Sequence, residues 1–190
     1  MASVVLSGDT SGSITIAAPA VAGSTTQTLV NVTGTLAPIV SGTAVASTSG
    51  TSIDFTSIPS WVKRITVMFS GVSTSGTSLP LIQLGDSGGF EITGYISTSV
   101  QLAAGNNVDS STAGFVIRSA TATNVLSGSV IIETISGNAW VSHHVLKQTT
   151  AGVIAGGGDK TLSDTLTQVR ITTVNGTDTF DAGTINILYE

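Results

Sequence analysis

The chain has 190 residues, and only 9% of them are charged, whereas an average globular protein has about 25%. Its six Lys and Arg residues are scattered, its formal net charge is −5, and it contains no cysteine. This composition argues against a nucleic-acid partner, a disulfide framework and a thiolate metal site. No apolar run approaches the about 18 residues of a membrane-spanning helix, and the amino terminus lacks signal-peptide features, so we expect no membrane insertion.

Residues 1–49 contain one charged side chain, Asp9, in a stretch dominated by Ser, Thr, Gly, Ala and Val. Short clusters of β-branched and apolar residues alternate with Gly and Ser turns, which is typical of strands. The segment has too few large apolar side chains to bury these clusters in a core of its own. We therefore predict an extended amino-terminal arm that anchors the chain in an assembly, with a domain boundary near residue 50. The residues expected to anchor this arm are Val4, Val5, Leu6, Ile14, Ile16, Leu29 and Val30.

From residue 50 to residue 190, apolar and polar residues alternate with period two; Ile65, Val67 and Phe69, for example, fall on one face of a strand. Turn signals separate these runs, and we interpret the three glycines at 156–158 as one such turn. Seven or eight strands with this spacing predict an all-β fold, an antiparallel β-sandwich of jelly-roll type. Trp61 and Trp140 are expected to be core side chains. The alternative is that their rings are exposed and stack on sugars.

Residues 85–89, Gly-Asp-Ser-Gly-Gly, match the loop around the nucleophile of trypsin-like serine proteases. A catalytic triad also needs a His base and a buried Asp, and in that family both precede the Ser. Here the only histidines, His143 and His144, follow Ser87. Gly, Asp and Ser are also the commonest turn residues, so we interpret the segment as a turn. No obvious acid pair for glycoside cleavage exists either, and we expect no enzymatic activity and no cofactor.

Two other groups of residues have metal-ligating chemistry. His143 and His144 are adjacent on a strand and point to opposite faces, so one strand cannot chelate an ion with both. A trimer axis could still gather three copies of one of them around an ion, which stays open as an alternative. Asp178 and Asp181, with Asp159 and Asp164, could supply calcium ligands, but they lack the regular spacing of a calcium loop. Loop capping is the preferred interpretation of these carboxylates.

Residues 52–69, SIDFTSIPSWVKRITVMF, resemble a module that recurs in tail-fibre-like virion surface proteins of tailed bacteriophages. Residues 79–94, with the centre Gln-Leu-Gly-Asp-Ser-Gly-Gly, resemble the same module. The ending, QVRITTVNGTDTFDAGTINILYE, looks like its carboxy-terminal signature. The resemblance covers about residues 50–190 and is looser in the middle of that range.

This resemblance implies a non-enzymatic virion protein, made in the host cytoplasm and assembled as a homotrimer with other capsid or tail proteins. One expectation is a short fibre or appendage anchored by its arm, with a glycan or protein of the host surface as a further partner. The alternative is a capsid decoration protein, of cement or head-fibre type, that clamps shell subunits without binding a receptor. The residues expected in outward contact loops are Ser73, Thr74, Ser75, Thr77, Asn106, Asn107, Asp109, Asn138 and Trp140.

Overall fold

A computed structural model describes residues 3–7, 11–17, 37–103, 105–149 and 152–190. The chain divides into two compact units, Met1–Leu36 and Ala37–Glu190. All regular structure in the described residues is β, and no helix among them is long and apolar enough to cross a membrane.

The described part of the first unit is an antiparallel hairpin. Strand β1 (Ser3–Ser7) pairs with β2 (Ser13–Ala17) so that position 4 lies opposite 16 and position 6 opposite 14. Val5, Leu6 and Ile16 are each more than half exposed. Leu29 and Val30, also predicted to anchor the arm, lie outside the described residues.

The second unit contains the other strands. They are β3 (Val40–Ser41), β4 (Val45–Ala46), β5 (Ile53–Phe55), β6 (Arg64–Thr74), β7 (Pro80–Asp86), β8 (Gly89–Phe90), β9 (Ile96–Leu102), β10 (Asn107–Ser111), β11 (Phe115–Val116), β12 (Leu126–Ser136), β13 (Ala139–Gln148), β14 (Gly152–Thr161), β15 (Gln168–Thr173) and β16 (Phe180–Tyr189).

These strands form two antiparallel sheets. The larger sheet has nine strands in the order β10-β9-β14-β13-β12-β6-β16, and both β3 and β4 pair with β16. The smaller has five strands in the order β11-β7-β15-β5, and β8 pairs with β7. The predicted antiparallel β-sandwich is confirmed.

The inward side chains of the two sheets meet in one apolar layer. The larger sheet contributes Val67, Val130 and Ile187, and the smaller contributes Ile82 and Val169. All five are almost completely buried, as the period-two pattern requires for one face of each strand. At about 25 cal/mol per Å² of apolar surface, this layer is the main source of folding free energy.

The second unit begins earlier than the predicted boundary near residue 50. Val40 and Ser41 pair with Tyr189 and Leu188, and Val45 pairs with Ile185. Ser47 is completely buried, and its hydroxyl donates a hydrogen bond of 2.8 Å to the carbonyl of Ala182. Residues 37–49 are therefore part of the sandwich and not of the arm.

The predicted turn at residues 156–158 is wrong, because Gly156, Gly157 and Gly158 lie in the middle of β14. Here β14 is closely flanked by β9 and β13. A Cβ at Gly158 would lie 2.4 Å from the carbonyl oxygen of Ile96 and 2.9 Å from the Cα of Ser97. The glycines are required by this close approach between strands and not by a turn.

The two ends of the nine-stranded sheet differ in what they carry. We call one end distal. It carries the β6–β7 connection (residues 75–79), the described residues between β9 and β10 (103, 105 and 106) and the β15–β16 connection (174–179). At the proximal end, Val40 pairs with Tyr189 and the β12–β13 turn reverses the chain at residues 137–138. The chain thus enters this unit at the end opposite the distal loops.

Gly158→Ala should lower the free energy of unfolding by about 1–3 kcal/mol, because the added methyl group overpacks the backbone of β9. Urea denaturation monitored by tryptophan fluorescence measures this change. Ala155→Ser is the matched control on the same strand, since its Cβ already exists and points to the other face; its effect should stay within about 0.5 kcal/mol. Equal stability of Gly158→Ala and wild type would show that β14 is not held this close to β9.

Candidate interaction surfaces

Hydrogen bonds tie the two long distal connections together. The amide of Ser75 donates to the carbonyl of Thr179 at 2.8 Å, and the amide of Thr179 donates to the hydroxyl of Ser75 at 3.0 Å. The amide of Asn175 donates to the hydroxyl of Ser78 at 2.9 Å. The β6–β7 and β15–β16 connections therefore form one ordered surface, which presents hydroxyl and amide groups.

Asp178 is the centre of this surface. Its carboxylate accepts hydrogen bonds from the Asn175 side-chain amide at 2.7 Å and from the Ser78 backbone amide at 2.9 Å. These bonds hold the pKa of Asp178 below its usual value. A Cβ at position 76 would overlap the carboxylate, so Gly76 is needed for this packing. The loop-capping interpretation of Asp178 agrees with these contacts.

The remaining predicted calcium ligands lie apart. Asp181 contacts the hydroxyl of Ser73, and Asp164 accepts a hydrogen bond from the amide of Thr165. Asp159 lies on β14 and is exposed. Within the described ranges, no three His, Asp or Glu side chains form a cluster that could hold a metal ion.

The structure corrects several of the predicted contact residues. Thr74 is buried at the end of β6, so it is not an outward residue. Trp140 is 4% exposed and lies on β13 with its ring in the apolar core, since the alternation of β13 turns it inward. Asp109 is part of β10 and forms an ion pair with Arg118.

Four of the predicted contact residues are exposed at the distal end: Ser75, Thr77, Asn106 and Asn107. Ser73 and Asn138 are half-buried, and Asn138 lies in the β12–β13 turn at the proximal end. The predicted contact loops thus divide between two ends of the sheet. Trp61, expected in the core, is 38% exposed and packs against Tyr189 with ring centroids 6.0 Å apart.

The Gly-Asp-Ser-Gly-Gly segment forms the turn between β7 and β8, as predicted. The Asp86 carboxylate accepts hydrogen bonds from the Ser163 hydroxyl at 2.7 Å and from the Gly88 amide at 2.8 Å, and these two bonds lower its pKa. Burial alone would raise the pKa of Glu91, but contacts with Lys160 and Ser163 bring it below its usual value. This network attaches the turn to the segment that follows β14. Ser87 has no hydrogen bond to either histidine.

His144 is 3% exposed and lies on the inner face of the nine-stranded sheet. Its Nε2 is 3.0 Å from the hydroxyl oxygen of Ser99, which also accepts a hydrogen bond of 3.0 Å from the amide of Arg118. A Cβ at Gly156 would lie 2.6 Å from the Cε1 of His144, so this glycine makes room for the ring. Because His144 is buried, it cannot reach a trimer axis. His143 is exposed on the outer face, so the alternative of three histidines around an ion at such an axis applies to His143 alone.

Burial lowers the pKa of His144 to about 4, with a smaller contribution from His143. The physical cause is desolvation of the buried imidazolium, and Nδ1 has no hydrogen-bond partner among the described residues. Below pH 6.5 the unfolded chain binds a proton at this residue that the folded chain does not bind until about pH 4. Above about pH 6.5 the ring is neutral in both states and His144 does not reduce the free energy of unfolding. As the pH falls from 6.5 towards 4, the unfolded chain is protonated first, so the free energy of unfolding decreases.

A further surface was missed by the sequence analysis. An open groove of about 350 Å³ lies along the smaller sheet and includes Gln83, Arg170, Thr172 and Asn175 in its lining. Arg170 forms a bidentate pair with Asp54 and stacks on Phe90, with its guanidinium carbon 4.0 Å from the ring centroid. The Asp54 contact raises the pKa of Arg170. The groove therefore offers fixed polar groups to a polar ligand.

Comparison of the chain with protein-family models, with curated proteins and with solved structures finds no match. The resemblance to tail-fibre-like proteins stays a prediction from the sequence.

The buried histidine predicts a specific pH dependence. Between pH 7 and pH 5 the wild-type chain should lose about 2 kcal/mol of unfolding free energy through His144, whose protonation is suppressed in the folded state. In His144→Gln this loss should disappear, because glutamine does not titrate. Urea unfolding at pH 7, 6 and 5 measures both curves.

The neighbouring histidine provides the control. His143→Gln removes an exposed imidazole from the same strand and should retain the wild-type pH dependence. An unchanged slope in His144→Gln, or a flattened one in His143→Gln, would contradict the assignment.

Asp178→Ala should loosen the distal connections without unfolding the sandwich. Loss of the carboxylate frees the amide of Ser78 and the side chain of Asn175, so we expect about tenfold faster hydrogen exchange at residues 75–79. Asp164→Ala is the control, since that carboxylate bonds only the adjacent amide among the described residues. Equal exchange rates at 75–79 in the two variants would show that Asp178 does not order these loops.

Proposed function

We propose that this chain is a non-enzymatic structural protein of a bacteriophage virion, a short fibre or appendage subunit that assembles in several copies as a homotrimer. Its amino-terminal unit anchors it to other capsid or tail proteins. Its distal loops face outward and contact a glycan or protein of the host surface. It is made in the host cytoplasm and resides on the particle.

The observation that carries this proposal is the division of the sandwich into two ends. The chain enters the second unit beside Val40 and Tyr189, whereas the exposed residues Ser75, Thr77 and Asn106 lie at the opposite end. A subunit attached through its amino terminus can therefore present these loops away from the attachment point. The hairpin β1–β2 supports an anchoring role, because its apolar residues Val5, Leu6 and Ile16 are each more than half exposed and could pack against a partner.

A capsid decoration protein that clamps shell subunits without a receptor is the second candidate. One feature favours it: the described residues of the β6–β7 connection and the β9–β10 turn include no charged or aromatic side chain. Interfaces usually obtain most of their binding energy from Trp, Tyr and Arg. Loops of Ser, Thr, Asn and Gly are poorly equipped to bind a protein receptor tightly.

The experiment that separates these roles is electron microscopy of intact particles that carry a gold label on the carboxy terminus of this chain. Label at the tail or its tip is the result expected for an appendage. Label in a regular lattice over the head would make the chain a decoration protein. Particles without label would overturn the virion role itself.

Removal of residues 1–36 should leave a soluble, folded unit that no longer joins particles, since the sandwich begins at Ala37. Removal of residues 1–49 is the informative comparison, because it also deletes β3, β4 and the buried Ser47. That variant should be less stable in urea than the 37–190 chain. Particle incorporation of the 37–190 chain at wild-type levels would contradict the anchoring role of the first unit.

A further inference from the structure

The outer face of the nine-stranded sheet carries a group of exposed apolar side chains. The register of β10, β9, β14 and β13 places Val108, Val100, Ala155 and Val145 side by side in one row across four strands. On the same face, Val153 lies on the next row towards the distal end, and Ile96 lies two rows towards the proximal end, beyond Thr98 and Gly157. We call these six residues the outer patch.

The outer patch is exposed to an unusual degree for apolar side chains. Ile96 is 69% exposed, Val145 64% and Val108 63%. Scattered exposed hydrophobics are normal on a protein surface, but a contiguous group on a flat sheet usually marks an interface. Ala155 has a single methyl group and Gly157 has no side chain, so the middle of this surface is flat.

Two formal charges lie on the outward positions of these four strands, and they lie at opposite ends. Lys147 is paired across the strands with Val153, near the distal end. Asp159 is paired with Val141 and Ile96, near the proximal end. Neither side chain forms an ion pair with the described residues, so both charges are available to a partner.

The free edge of the sheet is less suited to association than its face. Strand β10 is the edge strand, with five residues, and its Asp109 is held by Arg118. A short edge strand with a charged residue engaged in this way discourages strand addition by another chain. Association is thus expected through the outward side chains.

We propose that copies of this chain associate through the outer patch, with Lys147 of one copy paired to Asp159 of the next. The inference goes beyond the proposed function, because this contact joins antiparallel copies and is distinct from the contacts between the parallel copies of a homotrimer. Opposite charges at opposite ends of one apolar face complement a second copy of the same face. This holds for two copies related by half a turn, which pack with their strands antiparallel, so that each Lys147 faces the Asp159 of the other copy.

The test uses the full chain and a charge exchange. Sedimentation equilibrium should show wild-type oligomers at micromolar concentration. Lys147→Asp and Asp159→Lys should each weaken association about tenfold, because like charges then face each other. The double variant restores opposite charges and should return to within about threefold of wild type. A double variant that is weaker than either single variant would overturn the pairing.

A second pair of variants tests the patch itself. Val145→Asp places a carboxylate in the middle of the row and should weaken association about 100-fold, since it leaves an unpaired charge in the interface. Val174→Asp is the matched control: this valine is 54% exposed and follows β15 in the smaller sheet. It should associate as wild type does. Far-UV circular dichroism checks that both variants keep the β-sheet spectrum.

The outcomes separate this inference from the proposed function. Wild-type oligomers that persist unchanged in Val145→Asp would overturn the outer patch and leave the assembly in several copies intact. A wild-type chain that sediments as a monomer at 100-fold higher concentration would overturn both the patch and that assembly. The position on the virion is tested independently by the labelled particles.

Discussion

The inward side chains of both sheets meet in one apolar layer, and burial of that layer is what brings the strands of the second unit into register with each other. Every surface described above is a consequence of this layer. Because alternate residues must point inward, the residues between them point outward, and the sheet order then decides which outward residues become neighbours. The outer patch, the distal loops and the groove beside Arg170 are all products of that constraint.

Polar groups within the inner face are accommodated by specific local arrangements. Ser99 and Ser97 accept backbone hydrogen bonds from Arg118 and Val116, so they attach the segment around β11 to the larger sheet. His144 enters the same region only because Gly156 has no side chain. The result is a buried imidazole that stays neutral down to about pH 4, so the fold loses stability towards acid pH through a residue on the inner face, opposite the outer patch.

The low charge of the chain gives these surfaces a common character. The described loops at the distal end present hydroxyl and amide groups, and the outer patch presents aliphatic side chains with one charge at each end. A partner of either surface displaces few strongly hydrated groups, which lowers the desolvation cost of association. An assembly of identical subunits is consistent with such a composition, and the charges that remain can set the orientation of one copy on the next.

The sequence alone predicts the all-β class and many of the strands, because period-two alternation and Gly, Asn and Asp turns are local properties of the chain, but it does not reveal β14. It also identified the Asp86 turn and the capping role of Asp178, since both depend on the chemistry of short segments. The order of the strands is visible only in the folded structure, because it depends on contacts between residues distant in the chain. In that order, the three glycines interpreted as a turn lie in the middle of β14, closely flanked by two strands. The same order buries Thr74 and Trp140 and brings the residues of the outer patch together from four separate strands.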